Sequence, residues 1–596
     1  MRFYIVPFAT FLAGSAATCK SSPGDATWPS TADWQALNNS IDGTLLKTAP
    51  AASSCYSGNP FRSKTNCTDV YNHWSYATYH AAWPESIDYS IFTNQSCLPP
   101  GSDGYVKERG CSIGALPQYI VNATTEEHIA KAMKWASNRD IRIVVKGTGH
   151  DMSGRSTGAF SLSIWTHNLN HFKYNPHWPI PGTTTTANVA ILGSGNTWGS
   201  AYTSIHGVNR TLVGGEDATV GLGGLIQNGG HGLLSSTHGL ASDSLYQVTI
   251  ITADGRRLVA NDVRNSDLFW AVRGAGGGQF GVVTEFVLGT HPVPENVVSS
   301  GLTFYSTQPS NETDAWNALV EAARLIPEIM DAGITGTVMA FTGKRAASML
   351  SLDSVSGPAA TISLTGFNMT TASMNATVHA LASRINSASL GAATLVPQTP
   401  RSKSYWESTQ PDPLASQSSG SSSMISSRLL GKRELVHTPR DKVQQYLQKI
   451  LTPPTPGTGS MILFGLQGGP GTARTPDERR GSTHPAWRDA YAHLMTYSAP
   501  VNSTADPSEA LATGAQWYEE NIEPVWRAWA PGGGSYANEG NVFSGSWKED
   551  FYGVNYARLL EVKRGYDPTG SLFVWGGVGS DEWVYDLHDG LLCRSA

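Results

Sequence analysis

Hydrophobic and polar positions first follow a regular pattern near Tyr119, after about a hundred residues rich in Ser, Trp, Pro and Cys. The runs YIVNA (119–123) and IRIVV (141–145) predict strands. The segment between them predicts a helix, because Thr124 or Thr125 can cap it and acidic residues occupy its first turn. Further strands are predicted at VAILG (189–193), LYQVTIITADG (245–255), RRLVA (256–260) and FGVVTEFVLG (280–289). This order favours an α/β or α+β domain.

The pattern changes after Pro292 and predicts a second domain, an antiparallel sheet with helices on one face. Its strands are predicted at GTVMAFTG (336–343), TISLTGF (361–367) and SMILFGLQG (460–468), and its helices at 312–333 and 440–451. Residues 533–596 return to the pattern seen before Pro292. There FYGVNYARLLEVKRGYDPTGSLF predicts a helix that ends at Gly565, followed by a turn at Asp567-Pro568. No repeat of 20–50 residues is visible.

The composition of the chain argues against two classes of protein, nucleic-acid-binding proteins and disordered proteins. The 596 residues carry a net charge of −6, and only 15% of them are charged. No run of basic residues suits a phosphate backbone, so a nucleic-acid partner is not expected. A hydrophobic content of 40%, with 18 Trp, 22 Tyr and 17 Phe, argues against a disordered chain.

The N-terminus predicts a secreted protein. Arg2 precedes the apolar stretch IVPFATFLAG and the small residues Ala16-Ala17, so residues 1–17 read as a signal peptide. That stretch is too short to span a bilayer, and no later apolar run is long enough, so no membrane partner is expected. Nine N-x-[S/T] sequons suggest glycosylation: Asn38, Asn66, Asn94, Asn122, Asn209, Asn311, Asn368, Asn375 and Asn502.

Six cysteines suit a disulfide framework, since five of them lie in the first ~110 residues of the chain. Three bridges allow 15 connectivities. We expect Cys97–Cys111, Cys55–Cys67 and Cys19–Cys593. No C-x2-C pair occurs, so no metal site is predicted.

Several familiar motifs are incomplete. GSGNTWG (193–199) and GLGGLI (221–226) each miss the third glycine of the dinucleotide fingerprint, which disfavours a Rossmann domain. Residues 154–158 fit G-x-S-x-G, with Ser156 as the nucleophile of a hydrolase. That motif needs a strand running into it, and IRIVV ends about ten residues earlier, so the hydrolase stays a minor alternative.

Three glycine-rich segments carry the informative chemistry. In IRIVVKGTGHDMSGRSTG (141–158), Gly147 and Gly149 let backbone N–H groups approach a ligand, and His150 projects from the same loop. Taken alone, His150 is more simply a hydrogen-bonded turn residue. TLVGGEDATVGLGGLIQNGGHG (211–232) interleaves glycines with apolar residues, which suits a backbone wrapped around a flat or anionic ligand rather than a flexible surface loop. RGAGGGQFGVV (273–283) can close the same pocket.

Together with FYGVNYARLLEVKRGYDP near the C-terminus, these stretches resemble the FAD-linked oxidoreductases of the vanillyl-alcohol-oxidase superfamily. The likeness is greatest to the secreted fungal branch similar to berberine bridge enzyme, over residues 19–296 and 530–590. The resemblance implies an α+β fold. A PCMH-type FAD-binding domain of two subdomains comes from the N- and C-terminal segments, and a substrate domain has an antiparallel sheet and helices. The expected divisions are a signal peptide (1–17), a disulfide-rich segment (18–115), the FAD-binding domain (116–296), the substrate-binding domain (297–530) and a returning C-terminal segment (531–596).

The resemblance also implies roles for individual residues. His150 corresponds to the histidine that carries FAD through an 8α-imidazole bond. Asp217 stands where many relatives have a second, cysteine tether, which implies a single covalent link. Val220 is a residue found in oxygen-reactive members. The residues expected to bind FAD are Lys146, Gly147, Thr148, Gly149, His150, Asp151, Ser153, Ser156, Asp217, Thr219, Val220, Gly221, Gly223, Gly224, Gly229, Gly230, His231, Gly232, Gly281, Val282, Asn538 and Asn555.

The catalytic base is sought in SYANEGN (535–541), which resembles the family's Y-x-N stretch beside the flavin. Tyr536 is the first candidate and Glu539 the alternative. A tyrosine packed in the core of a strand would explain the same pattern without catalysis. Tyr491 and His493, in HPAWRDAYAH (484–493), rank lower as bases supplied by the substrate domain.

The expected function is that of a secreted flavoprotein oxidase. It would oxidise an alcohol or hemiacetal carbon by hydride transfer to covalently bound FAD and reduce O2 to H2O2. The expected partners are a small-molecule substrate and O2, and the expected state is a monomer. A dehydrogenase, a cyclising biosynthetic oxidase and a flavin-bearing carbohydrate-binding protein are the alternatives.

Overall fold

The computed structural model describes residues 18–410, 412 and 419–595. The predicted signal peptide lies outside the described residues. In this part of the chain, no helix combines the length and the apolar character needed to cross a bilayer.

The first sheet connects the N-terminal segment to the β-α-β unit found in the sequence. Its strands are β1 (Leu45–Lys47), β2 (Tyr119–Asn122), β3 (Ile143–Lys146) and β4 (Leu162–Trp165). They lie in the order β1-β2-β4-β3, and β2, β4 and β3 run parallel. The three predicted disulfides are confirmed: Cys55–Cys67 and Cys97–Cys111 close loops in the N-terminal segment, and Cys19–Cys593 joins the two ends of the chain.

The second sheet is antiparallel and follows directly in sequence. It consists of β5 (Phe172–Pro179), β6 (Thr186–Gly193), β8 (Leu245–Ile251), β9 (Arg257–Asn261) and β10 (Val282–Gly289), and β7 (Arg210–Thr211) pairs separately with β11 (His291–Pro292). The strand order is β5-β6-β10-β8-β9. The glycine-rich segment 212–239 lies between β7 and β8 and therefore runs outside this sheet.

The third sheet belongs to the predicted substrate-binding domain. Its strands are β12 (Val297–Tyr305), β13 (Ile334–Phe341), β14 (Ala359–Phe367), β15 (Thr394–Lys403), β16 (Ser426–Gly431), β17 (Met461–Leu466) and β18 (Ala490–Thr496). They are antiparallel, in the order β15-β12-β14-β13-β17-β18-β16. Two strands at the C-terminus, β19 (Trp583–Tyr585) and β20 (Leu592–Arg594), form a hairpin.

Helices fill the connections between strands. The α-helices are α1 (Thr31–Ser40), α2 (Cys67–His73), α3 (Ala77–Ala82), α4 (Glu126–Ser137), α5 (Trp198–His206), α6 (Leu222–Gln227), α7 (Ser235–His238), α8 (Ser266–Val272), α9 (Glu312–Asp331), α10 (Gly343–Leu350), α11 (Thr371–Ala388), α12 (Tyr405–Thr409), α13 (Arg440–Ile450), α14 (Pro470–Ala473), α15 (Pro507–Asn521), α16 (Glu523–Trp529), α17 (Trp547–Tyr552) and α18 (Tyr556–Tyr566). Apolar faces of α9, α11 and α13 pack with the third sheet into the largest core cluster. Thr125 caps α4, as one of the two alternatives predicted.

Helix α18 ends at Tyr566, one residue beyond the predicted end at Gly565. The alternative reading of 535–541, a tyrosine packed in a strand, is wrong about the strand, because residues Ala537–Glu539 form a 3₁₀ turn.

A buried ion pair holds the C-terminal segment against the third sheet. Arg428 on β16 lies 2.5 Å from Asp550 on α17, and both side chains are less than a tenth exposed. Arg428 also donates a hydrogen bond to the carbonyl oxygen of Ala530, and the backbone N–H of Ser535 donates to the carbonyl oxygen of Asp550. These contacts fix the segment that carries Tyr536 and Glu539.

Replacing Arg428 by methionine is expected to lower the free energy of unfolding by about 3–5 kcal/mol, because the Asp550 carboxylate stays buried without its partner. The midpoint of urea unfolding measures the change. Lys548→Met is the matched control: it breaks the exposed Lys548–Asp581 pair and should cost less than about 1 kcal/mol. Equal midpoints for Arg428→Met and Lys548→Met would contradict the prediction.

Candidate functional site

The three glycine-rich segments and the predicted SYANEGN segment meet around one cavity of about 380 Å³. The loop after β3 supplies residues 147–152, 155 and 156, the glycine-rich segment supplies seven residues between 217 and 227, and the turn before β10 supplies Gly277, Gly278 and Gly281. The C-terminal segment adds Tyr536, Asn538 and Glu539. The cavity therefore depends on residues that are nearly 400 positions apart in the chain.

Glycine backbone forms much of the cavity wall. Gly149 has a φ of +89°, and a Cβ there would lie 2.9 Å from the carbonyl oxygen of Ser86. The tight turn that exposes His150 therefore requires glycine at position 149. At Gly224 a Cβ would meet no atom within 4 Å, because this glycine faces open space. A wall without side chains suits a flat ring system.

Several buried polar atoms at the cavity have no hydrogen-bond partner among the described residues. They include the Nε2 atom of His150 and the hydroxyl oxygens of Ser156 and Ser194. Buried polar groups are normally paired, so these atoms indicate a ligand with polar edges. The glycine walls and unpaired polar atoms fit FAD. The unpaired Ser156 also lacks the histidine contact that a serine hydrolase needs.

Two carboxylates flank the ring of His150. Its Nε2 atom lies 3.7 Å from Oδ2 of Asp88 and 3.6 Å from Oδ2 of Asp217. Burial alone would lower the pKa of His150, but the charges of Asp88 and Asp217 outweigh it and raise the pKa to about 9. Thr219 donates hydrogen bonds to Asp217 from its backbone N–H and its hydroxyl, which fixes the carboxylate beside His150.

Tyr536 is buried and is held by a polar network. The side-chain amide of Asn538 donates to its hydroxyl oxygen at 2.8 Å and to the carbonyl oxygen of Gly224 at 3.1 Å. Arg155, which pairs with Asp151, donates in turn to the Oδ1 atom of Asn538. Burial and then the charge of Glu539 raise the pKa of Tyr536 above its usual range.

Glu539 faces the cavity beside two histidines. Its Oε2 atom lies 3.6 Å from Nε2 of His231 and 3.3 Å from Nδ1 of His493. Burial would raise the pKa of Glu539, but the imidazoles of His231 and His493 outweigh it and lower the pKa. Trp487 and Tyr536 pack against both imidazole rings.

Strand geometry explains why two residues predicted to bind FAD, Lys146 and Val282, do not line the cavity. Val145 and Val283 face it, and because successive side chains on a strand alternate, Lys146 and Val282 point away. The ammonium group of Lys146 donates to the carbonyl oxygens of His80 and Trp83. Lys146 thereby ties β3 to the N-terminal segment.

Other residues that the sequence predicted at the site lie outside the cavity lining. Ser153, Thr219, Gly229, Gly230, His231 and Gly232 do not line the cavity. Asn555 donates to the carbonyl oxygens of Ser482 and Thr483, away from the cavity. Tyr491 donates to Asp331 at 2.7 Å, also away from it. The predicted residues that line the cavity are Gly147, Thr148, Gly149, His150, Asp151, Ser156, Asp217, Val220, Gly221, Gly223, Gly224, Gly281, Tyr536, Asn538 and Glu539.

Some residues at the site carried no signal in the sequence. Tyr89 enters from the N-terminal segment and Tyr497 from the end of β18, and Asp88 lies behind His150. Neither Tyr89 nor Tyr497 belongs to a motif, so only folding brings them to the cavity. Arg155 lies within the His150 loop, where its spacing from Asp151 could have indicated the pair.

Two family models match segments of the chain that line the cavity, one in the N-terminal half and one near the C-terminus. The family described as FAD binding domain matches residues 117–261, and the family described as berberine and berberine like matches residues 535–573. The VAO-type flavoprotein oxidase VAO615 of Thermothelomyces thermophilus is 33% identical over 590 residues, which cover 97% of this chain and 96% of that protein.

Solved structures show the same architecture. The crystal structure of the VAO-type flavoprotein MtVAO615 from Myceliophthora thermophila C1 superposes with a TM-score of 0.82 at 31% identity, over 97% of this chain and 100% of that one. The glucooligosaccharide oxidase of Acremonium strictum, which carries a 6-S-cysteinyl, 8α-N1-histidyl FAD, has a TM-score of 0.56 at 20% identity, over 78% of this chain and 91% of that one. The expected fold, a PCMH-type FAD-binding domain with a domain built on an antiparallel sheet, is confirmed.

Proposed function

Because this chain belongs to the VAO-type FAD-linked oxidoreductases, we propose that it is a secreted oxidase with a single covalent link to FAD through His150. Its substrate is an alcohol or hemiacetal carbon of a carbohydrate, a phenolic alcohol or a secondary metabolite, and its electron acceptor is O2. The observation that carries the proposal is one cavity shared by His150, the glycine loops and the carboxylate of Glu539.

The residues that would hold FAD are the glycine walls and the polar groups around His150. FAD held there would supply the hydride acceptor for oxidation of the substrate and the route of the electrons to O2, with H2O2 as the product. A neutral imidazole nitrogen is a nucleophile, so His150 must give up a proton before it can form the bond. Asp88 is the better candidate to accept that proton, because its Oδ2 atom lies 3.7 Å from Nε2 of His150 and burial raises its pKa. At Asp217, by contrast, burial is outweighed by contacts with His150 and Thr219, which lower the pKa. Asp217 has no thiol, which leaves His150 as the single attachment point.

Glu539 is the better placed of the two candidate bases. Its Oε2 atom has no hydrogen-bond partner among the described residues, whereas the Tyr536 hydroxyl already accepts a hydrogen bond from Asn538. A carboxylate is ordinarily ionised at neutral pH and a phenol is not. We therefore assign proton removal from the substrate hydroxyl to Glu539, and we assign Tyr536 to positioning the substrate.

Aromatic side chains on the cavity wall support a substrate with an apolar face. Tyr89, Tyr497 and Tyr536 line the cavity, and such rings pack on sugar rings or on aromatic alcohols. The disulfides in the N-terminal segment support secretion, because such bonds persist in oxidising compartments.

The test is a spectrum of the purified protein followed by acid precipitation. We expect a yellow protein whose pellet keeps the flavin fluorescence. We also expect at least one member of a panel of sugars and alcohols to bleach the flavin without oxygen and to release peroxide in air. A colourless protein would contradict the proposal, and a flavin that is reduced by substrate but reoxidises slowly in air would indicate a dehydrogenase.

A further inference from the structure

Next to the cavity, the fold assembles a group of side chains that the sequence did not mark as a unit. His231 comes from the glycine-rich segment, His493 from β18 and Glu539 from the C-terminal turn. Their nearest nitrogen and oxygen atoms all lie within 4.8 Å of one another. No other group of three or more such residues is found in the ranges that the structure describes.

The polar atoms of this group face one another and have no hydrogen-bond partner outside the group. Both ring nitrogens of His231, both of His493 and the Oε2 atom of Glu539 have no hydrogen bond to any described residue. His493 is fully buried, and His231 is 9% exposed. The Oε2 atom of Glu539 faces only the two imidazole rings, and a carboxylate charge out of contact with water is unfavourable unless a cation or a proton joins it. Arg155, the guanidinium on the same cavity wall, is already engaged by Asp151 and Asn538.

The separations suit a small divalent ion. In a tetrahedral zinc site, bond lengths of about 2.0–2.2 Å place the ligand atoms roughly 3.4 Å apart. The two separations that involve Oε2 of Glu539 are 3.3 Å and 3.6 Å.

We propose that His231, His493 and Glu539 form a binding site for one divalent transition-metal ion of the zinc class at the edge of the flavin cavity. Two imidazole nitrogens and one carboxylate oxygen favour Zn²⁺, Cu²⁺ or Ni²⁺ over Mg²⁺ or Ca²⁺. Three protein ligands leave a further coordination position for water or for a ligand from the cavity. No motif in the sequence indicates such a site, because its three ligands come from segments that are far apart in the chain.

The contacts around the histidines set the expected strength of binding. Metal-bound histidines normally donate their second ring N–H to a carboxylate or a carbonyl, and loss of such contacts weakens binding by about 10–100-fold. Neither histidine has such a partner among the described residues. We therefore expect reversible binding that chelators remove, unlike that of a structural zinc site.

Occupancy of this site has a consequence that rests on the proposed function. If Glu539 removes the substrate proton, an ion on its Oε2 atom takes the lone pair that this step needs. Zn²⁺ should then inhibit flavin reduction, and EDTA should restore it. Binding itself does not depend on the oxidase assignment.

The experiment is a calorimetric titration of EDTA-treated, dialysed full-length protein with ZnCl2 and, separately, with MgCl2. We expect one Zn²⁺ per chain, no Mg²⁺ binding, and at least tenfold weaker Zn²⁺ binding in Glu539→Gln and in His231→Gln. His73→Gln is the matched control, because it removes a histidine–carboxylate pair, His73–Asp69, exposed on α2. His73→Gln should bind Zn²⁺ like the unchanged protein.

A second measurement does not depend on how the variants fold. One equivalent of Cu²⁺ added to the unchanged protein should give an electron paramagnetic resonance spectrum with splitting from two imidazole nitrogens. Absence of Zn²⁺ binding to the unchanged protein, equal affinity in Glu539→Gln, or a copper spectrum without nitrogen splitting would overturn the site. Binding of Zn²⁺ without loss of flavin reduction by the substrate would keep the site and overturn the role of Glu539 as the base.

Discussion

Replacement of His150 by alanine is expected to give protein that releases nearly all of its flavin on acid precipitation. The reason is that the imidazole is the nucleophile placed at the cavity, and the carboxylate of Asp217 replaces the thiol that could supply a second link. Flavin fluorescence, measured separately in pellet and supernatant, distinguishes the two states. Flavin that stays in the pellet of His150→Ala would contradict the attachment at this residue.

A second substitution provides the matched control for that result. Asp217 faces the cavity beside His150, so Asp217→Cys places a thiol where bicovalent relatives have one. The double variant His150→Ala/Asp217→Cys is expected to retain flavin in the pellet, with an altered visible spectrum. If His150→Ala releases its flavin and the double variant retains it, the single variant loses flavin because the covalent bond is missing and not because the protein fails to fold.

Replacement of Glu539 by glutamine is expected to slow flavin reduction by about 10²–10⁴-fold, which is the usual contribution of a general base. Glutamine keeps the size of the side chain and removes its ability to accept the substrate proton. Anaerobic stopped-flow measurement of the loss of flavin absorbance with a substrate from the panel gives the rate.

The comparison with Tyr536→Phe decides between the two candidate bases. If Tyr536 positions the substrate, the Phe variant should reduce its flavin within about tenfold of the unchanged rate. Both variants must keep the flavin content of the unchanged protein for the comparison to hold. A large loss in Tyr536→Phe with little change in Glu539→Gln would return the role of base to Tyr536.

Local patterns in the sequence were sufficient for most elements of the fold. The alternation in YIVNA and IRIVV and the cap at Thr125 correspond to β2, β3 and α4 within two residues at each end. The long amphipathic helix predicted at 312–333 is α9, which ends at Asp331. These predictions succeed because hydrophobic periodicity and capping act over a few neighbouring residues.

The side-chain directions that the sequence pattern did not predict depend on neighbours distant in sequence. Lys146 was expected at the cofactor but lies on the other side of β3 from Val145, tied to the N-terminal segment. A motif gives the order of its residues, but the register of a strand in its sheet decides which side chains reach the cavity.

By itself, the sequence determined the glycine loops and the candidacy of His150, because each follows from a short run of residues. The three disulfides were one expected set among 15 connectivities, and the structure decided the pairing. The replacement of a tethering cysteine by Asp217 stays an implication of the family resemblance. Only the tertiary structure decided that Tyr89 and Tyr497 reach the cavity, that Asp88 lies behind His150, and that His231, His493 and Glu539 converge. The physical reason is that such contacts join segments hundreds of residues apart, and sheet order, strand register and core packing set them together.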